Sequence, residues 1–216
     1  MRIDTSDGSP ISPAAPLDTA DAESLRQMRS DISRARSQHG FVIVALHKGI
    51  VHTPARLAPY ERAVAHAAVE SGADVVISHH AHIARGIELY RGKPIFHGLG
   101  NGCVVTRALS PQSLDPARAA WAVKRQTLFG FTPDPAYFLA PFHPEAVNSL
   151  LGKVRLLSDG SLRCGFVPVH VDPPGRPRVA TAQEARNIAR YIEEITVAGG
   201  LPPISTDIEE GCAWIR

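Results

Sequence analysis

Short apolar runs alternate with amphipathic stretches in the first half of the chain. Phe41–Leu46 and Asp74–Ser78 are rich in valine and isoleucine, a pattern typical of buried strands. Between them, apolar residues recur at helical spacing from Pro59 to Ser71, and Gly72 ends that helix. Because a strand-helix-strand unit takes a right-handed crossover, the sequence predicts two parallel strands whose carboxyl ends are adjacent.

The same patterns predict the other elements and the limits of the domain. Helical spacing indicates a first helix over Asp21–Gln38 and a last helix that begins with a capping box of Thr181 and Glu184. Two hairpins are predicted around glycine turns, within Gly86–His97 and Leu150–Val171. The predicted organisation is a loop or linker at 1–20, a domain at 21–200 and a short C-terminal extension at 201–216.

Histidines follow both predicted buried strands. The second strand leads into His79, His80 and His82, and the first ends at His47. Since the two strand ends are adjacent, we expect His47 to lie near the other three. Neutral imidazole is the commonest protein ligand for metals such as Zn, Mn or Fe, and open α/β sheets bind ligands at this edge. The pattern favours a metal site, with a solvated polar loop as the alternative.

A third set of candidates follows the first hairpin. Asn101 stands among three glycines, where its amide either points into a site or serves a turn. His97 either takes part in the site or faces solvent from its strand, and His52 is a weaker candidate. The remaining histidines lie at helix ends, helix faces or hairpins and are interpreted as structural: His39, His66, His143 and His170.

Composition excludes several classes of function. The formal net charge is +2 without a lysine- or arginine-rich run, which argues against a dedicated nucleic-acid surface. The three cysteines form no CxxC pair, so neither a zinc knuckle nor a disulfide framework is indicated. No apolar stretch has the length of a membrane span, and the N-terminus lacks a signal-peptide pattern. We therefore expect a chain without an export signal, either in the cytoplasm or in a compartment that the sequence does not identify.

Several motifs in order resemble the C-terminal half of the CapA family, the poly-γ-glutamate capsule proteins related to calcineurin-like metallophosphoesterases. They are FVIVALHKG and then ESGADVVISHHAHIARGIELYRGKPIFHGLGN. The resemblance implies an α/β fold, the C-terminal half of a four-layer α-β-β-α sandwich with metal on the loops at the strand ends. It implies two divalent ions (Mn, Fe or Zn) held by Asp, Asn and His. The metal ligands carried over are His47, His80 and His82, and the candidate catalytic residues are His79, His97 and Asn101.

The chain also departs from the family pattern. Lys48 stands where the family usually has tryptophan, Ser78 where it often has glycine, and Gly102 where a bulky apolar residue is usual. The family's early aspartate motifs and its asparagine-histidine motif have no counterpart in this sequence. A dinuclear site needs such a bridging carboxylate, so we expect half a metal site. The chain is then a fragment, or a separate chain supplies the missing N-terminal half.

The resemblance implies metal-assisted hydrolysis of an anionic small-molecule or polymer substrate, through a phosphoester, a γ-glutamyl amide or another amide bond. Either His79 or His97 would protonate the leaving group or, alternatively, would be a hydrogen-bond partner of the metal ligands. Since only neutral histidine binds metal, affinity is expected to fall below about pH 6.5. A serine or cysteine nucleophile lacks a motif in this chain. The non-enzymatic alternative is a capsule-assembly accessory or binding protein with the same fold.

Overall fold

The computed structural model describes residues 20–106, 116–117, 119–120, 123–124, 130–139 and 143–216. Helices and two sheets alternate along the chain, which confirms the predicted α/β sandwich class. The predicted linker at 1–20 lies almost wholly outside the described residues. Among the helices described, none is long and apolar enough to cross a lipid bilayer.

The first sheet has four strands in the order β1-β2-β4-β3. Its elements are α1 (Ala22–Gln38), β1 (Ile43–Lys48), α2 (Pro59–Glu70), β2 (Val75–His80), β3 (Ile87–Tyr90) and β4 (Lys93–Phe96). β1 and β2 are parallel and flank α2 in the sequence, as predicted. Both helices cover one face of the sheet, where Ile32 of α1 and Ala65 of α2 pack with Val76 and Ile95.

The second sheet is antiparallel and has five strands. Its elements are β5 (Asn148–Leu156), β6 (Leu162–Asp172), β7 (Arg176–Val179), β8 (Thr206–Glu209) and β9 (Cys212–Ile215), with α3 (Ala182–Ala198) between β7 and β8. The predicted β5–β6 hairpin and the Thr181 capping box are both present. Phe96 of the first sheet, Phe166 of the second and Ile192 of α3 belong to one core cluster. The two sheets and α3 therefore share a single apolar core.

Residues 201–216 belong to the domain and do not extend beyond it. β9 pairs with both β6 and β8, so it lies inside the second sheet. Cys212, Ala213 and Trp214 are buried. The segment is too short for its period-two pattern to stand out in the sequence, and its burial comes from pairing with β6, almost fifty residues earlier.

The close pairing of β6 with β9 predicts a large effect at Gly165. A Cβ atom there would meet the main chain of Ala213 and lie 2.9 Å from Cα of Trp214, with no flexible side chain to give way. Gly165→Ala is therefore expected to lower the free energy of unfolding by about 1–3 kcal/mol. Urea denaturation followed by circular dichroism measures it. Gly40→Ala is the matched control, because a Cβ there meets nothing within 4 Å; equal losses in both variants would contradict the prediction.

Candidate functional site

Three parallel strands bring the predicted site residues to one edge of the first sheet. The register of β1 and β2 pairs His47 with His79 and Lys48 with His80. β4 is parallel to β2 and ends at Phe96, so His97 follows at the same edge. The strand ends meet as the sequence predicted, and the His47 side chain reaches His80, the last residue of β2.

Two of the site histidines are in direct contact, since His80 Nδ1 and His47 Nε2 lie 2.9 Å apart. The two rings meet edge to face with their centroids 4.7 Å apart. Burial, helped by the neighbouring imidazoles of His47 and His82, lowers the pKa of His80 to about 4. His80 is therefore neutral at pH 7 and able to bind a metal.

His82 is oriented by Asn101. His82 Nδ1 lies 3.1 Å from Asn101 Oδ1, and Asn101 Nδ2 donates to the His82 carbonyl at 3.0 Å. If His82 Nδ1–H donates to the amide oxygen, the Nε2 lone pair points away from Asn101. Metal-binding histidines are commonly oriented by such a hydrogen bond on the other ring nitrogen. Of the two interpretations left open for Asn101, the structure favours the one in which the amide points into the site.

The backbone is strained at three of the site histidines. His52, His80 and His82 have φ angles of 54°, 95° and 53°. Residues other than glycine rarely adopt positive φ, and each such residue costs about 1–3 kcal/mol unless its surroundings fix it. Strain of this kind concentrates at functional sites, so its repetition at the strand ends supports a functional role for this edge.

His52 is buried within the site, whereas His79 is exposed at its edge. His52 is 4% exposed, and its ring centroid lies 6.0 Å from that of His82 and 5.5 Å from that of Phe131. The weaker candidate from the sequence is thus a close neighbour of a predicted ligand. His79 is exposed and lies opposite His47 in the strand register. It is accessible from solvent, and among the described residues it makes no ring contact with the other histidines.

Beneath the histidines lies a buried cluster of charges formed by Lys48, Glu61 and Arg85. Arg85 Nη1 donates to both carboxylate oxygens of Glu61 at 3.0 Å, and Lys48 Nζ lies 3.4 Å from the same carboxylate. The Arg85 guanidinium also donates to the Ile50 carbonyl. The cluster thus fixes the loop between His47 and His52. Burial lowers the pKa of Lys48 to about 8 against the opposing charge of Glu61. Burial raises the pKa of Glu61, but Arg85 and Lys48 outweigh it and hold that pKa below its usual value.

His97 connects this cluster to a second carboxylate, Glu88. The His97 ring is fully buried, with Nδ1 3.4 Å from Lys48 Nζ and Nε2 3.2 Å from Glu88 Oε2. Glu88 also accepts hydrogen bonds from Arg62 at 2.8 Å and His66 at 3.0 Å. His97 therefore does not face solvent, and its position favours a hydrogen-bonding role behind the ligands. His66, interpreted as structural from the sequence, belongs to this network.

The nitrogen donors of the site fit a metal ion only in part. Two nitrogens that bind one ion at about 2.1 Å and at right angles lie about 3.0 Å apart, close to the His47–His80 separation. Among the described residues, however, no group of three or more His, Cys, Asp or Glu side chains is arranged to hold an ion. The His47 and His80 nitrogens are thus spaced as two ligands of one ion would be, and the described residues group with them no carboxylate of the kind that a two-metal site needs.

The sequence interpretation missed the buried charges. Its only signals were a carboxylate beside the apolar stripe of α2, at Glu61, and a charge between apolar residues, at Arg85. Each is ordinary alone, because a single charged residue usually lies on a solvated face. Their pairing across 24 residues is visible only in the fold.

The segment that contains these histidines matches a known family. Residues 4–104 match the family model described as bacterial capsule synthesis protein PGA_cap. The matched residues make up just under half of the chain, and over them the chain resembles the CapA family. That family has the metallophosphoesterase-like fold, and the two-sheet α/β architecture agrees with it. All six predicted site residues lie in the matched CapA segment.

Individual CapA relatives align over shorter stretches. The PGA biosynthesis protein CapA of Bacillus subtilis is 36% identical over 70 residues, which cover 32% of this chain and 18% of that protein. The capsule biosynthesis protein CapA of Bacillus anthracis is 30% identical over 77 residues, 36% of this chain and 18% of that protein. A probable polyglutamine synthesis accessory protein of Mycobacterium tuberculosis is 48% identical over 44 residues, 20% of this chain and 12% of that protein. The aligned regions thus span less than a fifth of these relatives.

Proposed function

We propose that this chain is the histidine-bearing part of a CapA-type metal-dependent hydrolase acting on an anionic substrate. The family match supports a role in capsule or poly-γ-glutamate synthesis. The observation that carries the hydrolase proposal is the contact of His47 with His80 at 2.9 Å, beside a His82 ring that Asn101 orients. The scissile bond is a phosphoester or an amide, including a γ-glutamyl amide.

Each residue has a distinct part in the proposed reaction. His47, His80 and His82 would hold a divalent ion such as Mn, Fe or Zn, and Asn101 would keep the His82 ring in its binding orientation. A bound ion of this kind lowers the pKa of water and polarises the scissile bond. His79 is exposed at the same edge and would protonate the leaving group. His97 would act through Lys48, by fixing the end of β1.

The missing carboxylate ligands would come from outside the described residues, or from a separate chain, on a strand beside β1. Within the described part of the chain, β1 pairs on one side only, with β2. Ile43 is 58% exposed although its strand has the apolar sequence of a central strand. An apolar groove of about 520 Å³ also opens between the sheets beside Ile43, Val154 and Leu156. A parallel strand at this edge would end next to His47.

The alternative function is that of a non-catalytic accessory that binds polymer or a partner in capsule assembly. One observation favours it: the described residues contain no complete set of metal-binding side chains. An accessory protein would support polymer assembly in full when it is free of metal and when His80 is replaced. The two functions are therefore separated by metal dependence.

Metal titration tests the hydrolase proposal. We expect the metal-free protein to bind one Co²⁺ ion at pH 7 with visible absorption bands of a nitrogen-ligated ion. His47→Ala and His80→Ala should abolish those bands, because each removes one of the two closest donors. Asn101→Ala should weaken affinity about 10–100-fold, the usual effect of losing the partner that orients a ligand. Absorption spectra and calorimetry provide the measurement.

His170→Ala is the matched control, since it removes a partly exposed imidazole on β6 of the second sheet. It should bind Co²⁺ as the unchanged protein does. The same affinity in all four variants would overturn the assignment of these histidines as ligands.

A further inference from the structure

A second candidate site lies on the face of the second sheet that is turned away from the shared core. Cys164, Phe166 and Ala213 point into the core, so strand alternation directs the neighbouring Arg163 and Trp214 to the opposite face. Lys153 and Arg155 on β5 share that face, because their register partners are Gly165 and Arg163.

Three cations converge on one ring there. The distances to the Trp214 centroid are 5.2 Å from Lys153 Nζ, 5.3 Å from Arg155 Cζ and 4.4 Å from Arg163 Cζ. Together with the neighbouring strands these side chains leave Trp214 only 4% exposed. Burial raises the pKa of the Cys212 thiol, and the positive charges of the same three residues partly oppose that rise.

This arrangement leaves positive charge without a partner carboxylate among the described residues. Arg155 and Arg163 are direct cross-strand partners, and like charges in that position repel by up to about 1 kcal/mol. Arg163 is paired with Glu209 at 2.7 Å. Within the described part of the chain, no carboxylate lies within ion-pair distance of Lys153 or Arg155. Cation–π contact with Trp214 offsets part of the repulsion, and an added anion would relieve the rest.

The cationic strip formed by Lys153, Arg155 and Arg163 is connected to the histidine site through β5. Ser149 is on the same face of β5 as Lys153 and accepts a hydrogen bond from the Asn101 backbone N–H at 2.8 Å. At about 3.3 Å per residue, Lys153 lies about 13 Å and Arg155 about 20 Å along the strand from Ser149. An extended chain of several monomers would span this distance.

We propose that the cationic strip binds an extended polycarboxylate and leads it along β5 towards the histidine site. We infer that the anionic groups of the ligand are carboxylates, because the carboxylate of Glu209 already accepts a hydrogen bond from the Arg163 guanidinium in this cluster. Lys153 and Arg155 lie two residues apart on β5, with Arg163 opposite Arg155 on β6, and this row of cations suits an anion repeated along a polymer better than a single small ligand. This inference rests on the proposed function, which makes the polymer of the capsule pathway the ligand.

Binding of fluorescent γ-linked oligoglutamate to the full chain, followed by anisotropy at low salt, tests the proposal. The variant is K153Q/R155Q, which leaves the Arg163–Glu209 pair intact. The control is R186Q/R190Q, with the same change in charge, because Arg186 and Arg190 are exposed on α3 and bond to Gln183 and Asn187. We expect affinity to fall about tenfold in the first variant, as for two lost exposed ion pairs, and less than twofold in the second.

The length of the oligomer, the choice of polyanion and the binding of Co²⁺ provide further tests of the cationic strip. A ten-residue oligomer should bind more tightly than a trimer, since only the longer one reaches from the strip to Ser149. Equal losses in both double variants, or equal binding of duplex DNA or polyphosphate of the same charge, would overturn the proposal.

Co²⁺ binding separates the proposed polymer site from the proposed metal site. K153Q/R155Q should still bind the metal, and His80→Ala should still bind the polymer. Loss of polymer binding in His80→Ala would show that the strip is not an independent site.

Discussion

Replacing Arg85 by alanine is expected to lower the free energy of unfolding by about 3–5 kcal/mol. The guanidinium is fully buried and donates to both oxygens of Glu61 and to the Ile50 carbonyl. Without it, the buried Glu61 carboxylate keeps only Lys48, at 3.4 Å, as a cationic partner among the described residues. Removing one member of a buried ion pair leaves an uncompensated charge in the interior, which is why the loss is large. Urea denaturation followed by circular dichroism measures it.

Two comparisons isolate the buried pair as the cause. Arg26→Ala breaks an ion pair with Glu23 on the exposed face of α1 and is expected to change stability by less than about 1 kcal/mol. The double variant Glu61→Gln with Arg85→Met removes both charges and should lose less than the sum of the two single variants. A loss below about 1 kcal/mol in Arg85→Ala would show that the buried charges do not depend on one another for stability.

The stability of the protein is expected to fall as the pH drops from about 6.5 to about 4, in part because of His97. Burial, together with the charge of Lys48, lowers the pKa of His97 to about 4, although the hydrogen bond to Glu88 opposes this. The unfolded chain, with the ordinary pKa near 6.5, therefore binds more protons in this range than the folded one. At 1.36 kcal/mol per pKa unit, the full effect is about 3 kcal/mol.

The contribution of Glu88 to the stability of the folded state is lost in a different pH range. Burial raises its pKa, but hydrogen bonds from His97, Arg62 and His66 outweigh burial and bring the pKa to about 2. A carboxyl group with a lowered pKa stabilises the folded state above about pH 4.5 and loses that contribution as the pH falls towards 2. Unfolding free energies at half-unit steps between pH 7 and 4 separate the histidines from Glu88, and His80, whose pKa burial also lowers to about 4, contributes in the same range. His97→Gln should flatten the slope there, and an unchanged slope would assign it to other groups.

The sequence predicted the meeting of His47 with His80 because that meeting follows from local patterns. Two apolar runs separated by a helix give parallel strands, and parallel strands end at one edge. The same reasoning predicted α1, α2, α3 and both hairpins. It placed the first two strands within about two residues of their ends, since an apolar run does not show how far the hydrogen-bond ladder continues.

The features that the sequence did not predict depend on distant pairings. His52 was a weak candidate because five residues separate it from His47 on a loop, and only the folded loop places its ring beside His82. β9 was missed because its partner β6 lies almost fifty residues away. Lys48 was noted as a departure from the family pattern, but its contacts with Glu61 and His97 required three elements to be in place.

Asn101 forms hydrogen bonds with residues of both halves of the chain. Its side chain holds His82, while its backbone N–H is bonded to the hydroxyl of Ser149, 48 residues further along. The matched family segment stops at residue 104, before that hydroxyl. A protein shortened to this segment would lose the hydrogen bond from the Asn101 backbone N–H to the Ser149 hydroxyl. The smallest piece worth expressing for metal studies therefore runs through the final strand, to Ile215.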